Sequence, residues 1–190
     1  MRREIDQGPA VAGLDPDTPR LLQPLARALL WVNQALVLLG MVSLLVASAV
    51  LTYSVISRYV MKSSTDWQDE AAVFCLVGAT FLCSAYVQSI RGHVGIEAIA
   101  GLLPKSVNQF RLLLVDLLGV LFCSFFSWKS WALFREAWVE QQTTSSSWAP
   151  PLWIPYALMA TGMTLLSLQL LVQLTARVNS LTKRYAGTAA

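Results

Sequence analysis

Apolar side chains fall along this chain in four long blocks separated by short polar segments. The first block covers 29–57 and is almost unbroken Leu, Val, Ala and Ser. The second, 67–90, admits acidic residues only near its start, at Asp69 and Glu70. The third, 107–134, is interrupted by Arg111, Asp116 and Lys129. The fourth, 152–176, carries Pro155 in its first turn, where proline is tolerated. A hydrocarbon core of roughly 30 Å is crossed by about 20 helical residues, so each block predicts a transmembrane helix. The expected fold class is all-α integral membrane, with four transmembrane helices and short interfacial amphipathic helices. The membrane domain is expected over 18–184, between a disordered tail at 1–17 and a C-terminal tail at 185–190.

The segments between blocks refine this outline. Residues 1–24 contain Pro9, Pro16 and Pro19 and no apolar stretch of the signal-peptide kind, so the first block reads as a retained signal-anchor helix. Thr18 and Pro19 have the pattern of an N-cap and a first helical residue. Leu21, Leu22, Leu25 and Leu29 follow at helical spacing and predict entry along the membrane interface. Another apolar segment, 94–103, with Val94, Ile96, Ile99, Leu102 and Leu103, is too short to span and stops at Pro104. It suits a helix lying flat at the inner interface. The Thr/Ser-rich segment 141–151, ending in Pro150 and Pro151, reads as an extracytoplasmic connector without chemical character.

Composition agrees: 55% of residues are hydrophobic and 13% charged, against about a quarter charged in soluble domains. The net charge of +3 matters less than its placement. Arg2, Arg3, Arg20 and Arg27 precede the first block, Arg91, Lys105 and Arg111 surround the middle loop, and Arg177, Lys183 and Arg184 follow the fourth block. The opposite loops hold fewer cations, Arg58, Lys62 and Arg135. By the positive-inside rule both termini and the middle loop are expected in the cytoplasm, and an even number of spans satisfies this.

Little in the chain points to catalysis. A single histidine, His93, excludes bis-histidine haem ligation by this chain alone, and no His/Cys cluster has metal-ligand spacing. Cys75, Cys83 and Cys123 fall inside blocks without a Cys-x-x-Cys pattern and read as small packing residues. No cofactor, metal site, nucleic-acid contact or enzymatic activity is expected. The informative charges stand at helix ends. Glu70, in the first turn of the second helix, and Arg58, at the end of the first, lie on one side of the membrane; they read either as an ion pair or as separate interfacial caps. Asp116 is the carboxylate placed within a span, and such charges find partners. Together with Asn33, Gln34, Gln88, Gln169 and Gln173 it makes the inner half polar, fit for internal hydrogen bonding or contact with another subunit.

Aromatic residues gather toward the outer surface: Tyr53, Tyr59, Trp67, Trp128, Trp131, Trp138, Trp148, Trp153 and Tyr156, against Trp31 and Tyr86 at the inner one. An interfacial aromatic belt accounts for such a bias. Trp128, Trp131, Arg135 and Trp138 recur at helical spacing, and the stripe reads either as part of that belt or as a periplasmic docking surface.

One pattern is more specific. Trp67-Gln-Asp-Glu70 opens the second helix, and Arg91-Gly-His93-Val-Gly-Ile-Glu97 follows its end. These motifs, with four spans and cytoplasmic termini, resemble the DctQ-like family, the small membrane subunits of TRAP (tripartite ATP-independent periplasmic) transporters. The resemblance runs over roughly 25–184. Asp69 stands where a glutamate is usual, and Glu97 where aspartate is common; both keep the charge. The resemblance implies a non-translocating scaffold in the bacterial inner membrane, in an about one-to-one complex with a large elevator-type subunit that binds substrate and sodium. It implies delivery of an organic acid by a periplasmic solute-binding protein. Under it Trp67 and Glu70 are an anchor at the outer interface, Arg91 and His93 meet phospholipid or the large subunit, and Glu97 pairs with Arg91 or Lys105. Two other readings of the same composition are a membrane-anchor subunit of a respiratory enzyme, which ordinarily needs haem-ligating histidines or a quinone site, and a stand-alone small exporter, for which Asp116 is the candidate carboxylate.

Overall fold

A computed structural model describes Pro19 and residues 22–62, 66–90 and 105–188. The N-terminal tail, Thr18 and the flat segment at 94–103 lie outside the described residues. Among those described there are four long helices and no strand beyond one isolated bridge, Thr143 to Pro151. They are α1 (Gln23–Ile56), α2 (Asp66–Ser89), α3 (Lys105–Val139) and α4 (Trp153–Thr188). All four contain a stretch long and apolar enough to cross a membrane.

Three of the four helices outrun the apolar blocks that announce them, whereas α2 matches its block in length. At 1.5 Å per residue the 36 residues of α4 extend about 54 Å, well beyond a roughly 30 Å hydrocarbon core. Its continuation through Thr188 takes in most of the C-terminal tail expected at 185–190. α1 begins at Gln23, with Pro24 in its first turn, and ends in a five-residue π-helical turn, Ser57–Met61. Lys62, at φ 53° and ψ 31°, takes the left-handed conformation that commonly stops a helix.

In space the order is α1, α2, α4, α3: each packs mainly on the next, and α1 touches α4 lightly. α4 is therefore central. Buried positions make up 44% of its most apolar stretch and only 11% of those of α1 and α3, which flank the bundle. The seams are built from small side chains, which let helices approach where lipid supplies no hydrophobic drive for association. Ala26, Asn33, Gly40, Ala47 and Ser54 are buried along α1 at a strict seven-residue interval. A seven-residue repeat keeps one stripe on a neighbour when helices wrap with a left-handed twist. Its N-terminal end meets α4, where Ala26 and Leu29 pack on Val172. Farther along, Gly40 lies against Ala79 and Cys83 of α2, too close for a side chain of its own. The closest approach to a neighbour's backbone is between α2 and α4, where a Cβ on Gly162 would collide with the backbone carbonyl of Phe81.

Candidate functional site

Polar side chains inside the bundle collect on one face of α4. Gln169, Gln173 and Arg177 recur every four residues, so they stack one turn above another. Each joins a different helix. Asn33 of α1, wholly buried, donates through Nδ2 to Gln169 Oε1 at 3.4 Å. Gln88 of α2 donates through Nε2 to Gln173 Oε1 at 2.8 Å, and Gln173 Nε2 returns a bond to the Gln88 carbonyl at 2.8 Å. Arg177 Nε meets Asp116 Oδ2 of α3 at 2.7 Å, an ionic contact off the angle of a linear hydrogen bond. Both side chains are nearly enclosed, at 14% and 12% exposure. One face of the central helix thus fastens all three neighbours. Asn33, Gln88, Gln169, Gln173 and Asp116 are brought together in this ladder, whereas Gln34 is exposed.

At the opposite end Arg58 and Glu70, which the sequence offers as a pair or as separate caps, do not pair with each other. Arg58 reaches Asp69, not Glu70: its Nη2 donates to Asp69 Oδ2 at 3.2 Å, and Ser54 lies 3.4 Å from the other carboxylate oxygen. Successive helical residues point about 100° apart, so only one of the two acids can face the end of α1. Glu70 lies half-buried, with Oε2 enclosed and without a hydrogen-bond partner among the described residues. The Arg58 and Asp69 side chains are 58% and 54% exposed, and pairs of that kind are worth about 1 kcal/mol or less. Reversing either charge is therefore expected to shift thermal stability only slightly. Arg58→Asp combined with Asp69→Arg should recover the shift, while Arg58→Glu combined with Glu70→Arg should not. Equal recovery by both double variants, read from melting in detergent, would refute the assignment.

The aromatic stripe is partly tied into the chain itself. Trp131 Nε1 donates to Thr164 Oγ1 of α4 at 3.0 Å, and that hydroxyl lies 2.8 Å from Ser127 Oγ. Rings run from Trp131 to Phe134 to Trp138 and across to Trp153, with centroids 5.5, 6.1 and 4.9 Å apart. Trp67 meets Trp148 edge-on at 6.4 Å, so the start of α2 touches the α3–α4 connector. That connector is also fastened by its backbone, Thr144 N to Pro150 O and Leu152 N to Gln142 O. All four residues of the stripe still keep exposed surface, Trp128 the most at 63%. Arg91, His93 and Glu97 lie outside the described residues. Among the residues described no group of His, Cys, Asp and Glu is placed to hold a metal ion.

Two contributions escape a reading of local pattern, one in the ladder and one beside the aromatic stripe. Arg177 stands out in the sequence only as one of the cations after the fourth block, and nothing local ties it to Asp116. Thr164 looks like an ordinary helix hydroxyl until Trp131 is seen to donate to it.

A family model described as tripartite ATP-independent periplasmic transporters, DctQ component, matches residues 47–179. No curated protein and no solved structure matches the chain.

Proposed function

Because the chain belongs to the family of DctQ components of tripartite ATP-independent periplasmic transporters, we propose that it is the scaffold of such a transporter, bracing a larger membrane subunit without itself carrying substrate. In this reading the partner moves as an elevator, binds the coupling sodium, and takes up an organic acid from a periplasmic solute-binding protein. The complex lies in the bacterial inner membrane, with both termini of this chain in the cytoplasm. Arg91 and His93 then meet phospholipid head groups or the large subunit at the inner surface. Trp67 and Glu70 anchor the outer one. The exposed surface of the stripe, Trp128, Trp131, Arg135 and Trp138, is offered to the solute-binding protein.

The observation that carries this reading is the use made of polar groups within the bundle. A carrier needs polar side chains that exchange partners as cargo passes. Here Gln169, Gln173 and Arg177 of the central helix are each engaged with a different neighbour. Asp116, the carboxylate an exporter would need, is in ionic contact with Arg177. α1 and α3, by contrast, leave broad apolar faces uncovered, including Leu38, Leu45, Leu118 and Phe122. A bundle that is rigid within and apolar without suits a brace.

Affinity purification of the tagged full chain from its native membranes in mild detergent tests the proposal. A large multi-spanning protein recovered at about one-to-one is the expected result. Recovery of the chain alone or as a homo-oligomer, with transport by this chain alone in liposomes, would contradict it.

A further inference from the structure

Because α3 packs chiefly on α4, a groove of about 750 Å³ opens between α2 and α3 with α4 as its floor. Its two ends differ. At the end shared by the close of α2 and the start of α3 it is lined by Gln88, Asn108, Arg111 and the Asp116–Arg177 pair. Toward the middle of the bundle its walls are apolar, with Val115, Cys123, Leu166 and Leu170 among them. Asp116 and Arg177 balance each other in charge, so Arg111 leaves the lining with a net positive charge. The Arg111 guanidinium is braced by a neutral partner: Nε and Nη2 donate to Asn108 Oδ1 at 3.2 and 2.9 Å. From Arg111 to Cys123 the groove follows α3 for about 18 Å at 1.5 Å per residue. That is close to the depth of one leaflet, half of a roughly 30 Å hydrocarbon core.

The geometry points to a lipid site: the groove takes an acyl chain of an anionic phospholipid whose phosphate lies on Arg111. Three features favour this occupant. The groove lies along helices of spanning length, so its apolar stretch faces hydrocarbon. Its charged and amide groups gather at one end and its deeper lining is mainly apolar, the hydroxyls of Thr80 and Ser84 being turned back onto carbonyls of their own helix, in the order of a phospholipid and over the right length. Its excess charge is a guanidinium, whose planar set of donors suits phosphate oxygens, and basic pockets between transmembrane helices take such head groups. Gly119 marks the passage of the chain: a Cβ there would sit at ordinary contact, 3.8 Å from the Leu170 methyls, and a larger side chain would fill part of the groove both residues line.

The proposal concerns the chain alone and does not depend on the transporter reading. Its test is native mass spectrometry of the purified full chain titrated with phosphatidylglycerol or with phosphatidylcholine of the same acyl chains. Wild-type protein is expected to retain phosphatidylglycerol preferentially. Arg111→Gln should reduce that preference about tenfold, in line with loss of a charged hydrogen bond, while phosphatidylcholine retention is unchanged. Gly119→Phe should reduce retention of both lipids. An unchanged preference in Arg111→Gln overturns the proposal even if Gly119→Phe fails to fold. So does displacement of the lipid by millimolar inorganic phosphate, which would mean that no chain is held. Unchanged lipid binding in Gly119→Phe, with loss of a protein that otherwise copurifies, would assign the groove to a partner's helix and also overturn it.

Discussion

Substituting Gly162 by alanine is expected to destabilise the bundle more than the same change at any other glycine described here. The reason is the nature of the wall it faces. A Cβ at Gly162 would run into the Phe81 carbonyl of α2, and backbone cannot swing aside as a side chain can. The helices would have to separate, and with them the contacts of Phe81, Met159 and Met163 in the cluster they share. Overpacking typically costs about 1–3 kcal/mol, and this site should fall at or above the upper end. Two further glycines calibrate the result. A Cβ at Gly78 would approach the end of Leu158 at 3.2 Å, where a flexible side chain can give way, so Gly78→Ala should cost less. At Gly119 the nearest atoms are at 3.8 Å, and Gly119→Ala should be close to neutral. Apparent melting temperatures in detergent should therefore fall in the order Gly119→Ala, Gly78→Ala, Gly162→Ala. A Gly162→Ala variant that melts with Gly119→Ala would mean that α2 and α4 do not approach as described.

The contrast between these glycines shows what the sequence makes legible. Four spans can be counted because a run of about 20 apolar residues has few alternatives to crossing a bilayer. Helix ends are harder to place: α4 runs on past 176 through Arg177, Lys183 and Arg184, residues that are polar yet good helix formers. Helix order is hidden for a different reason. In a soluble bundle polarity separates the inner face from the outer, but here both are apolar and the difference lies in size. The spacing of Ala26, Asn33, Gly40, Ala47 and Ser54 is visible in the sequence once small residues are sought in place of hydrophobic ones. The acid facing Arg58 could not be chosen between Asp69 and Glu70 without the crossing of α1 over α2. Arg177 and Asp116 are distant in sequence although their helices are consecutive, and only the packing of α3 against α4 brings them into contact. The family motifs at Trp67, Glu70 and Arg91 were readable from residue type and spacing. Their contacts depend on neighbours that residue type does not name.

Removing one member of the Asp116–Arg177 pair is expected to cost far more than removing both. Each charge is almost enclosed, and truncating its partner leaves a nearly buried ion without the counter-charge it packs against. Losses of about 3–5 kcal/mol are typical of that situation. Asp116→Ala and Arg177→Ala should each lower the melting temperature strongly and reduce the yield of monodisperse protein. The intact pair need not be strongly stabilising for this to hold. Desolvation of two ions offsets much of their attraction, so a well-packed apolar replacement is often neutral or better. Asp116→Leu with Arg177→Met should accordingly recover most of the stability lost by the single variants. A double variant that melts as low as the worse single one would mean that the ions do not act on each other. The same double variant separates brace from carrier. If Asp116 served as a proton-carrying group, a stable Asp116→Leu/Arg177→Met chain would assemble normally and still abolish uptake by the whole transporter. If the pair only joins α3 to α4, restored stability should bring restored uptake with it, because a scaffold needs the helices held together and is indifferent to whether charge or packing holds them.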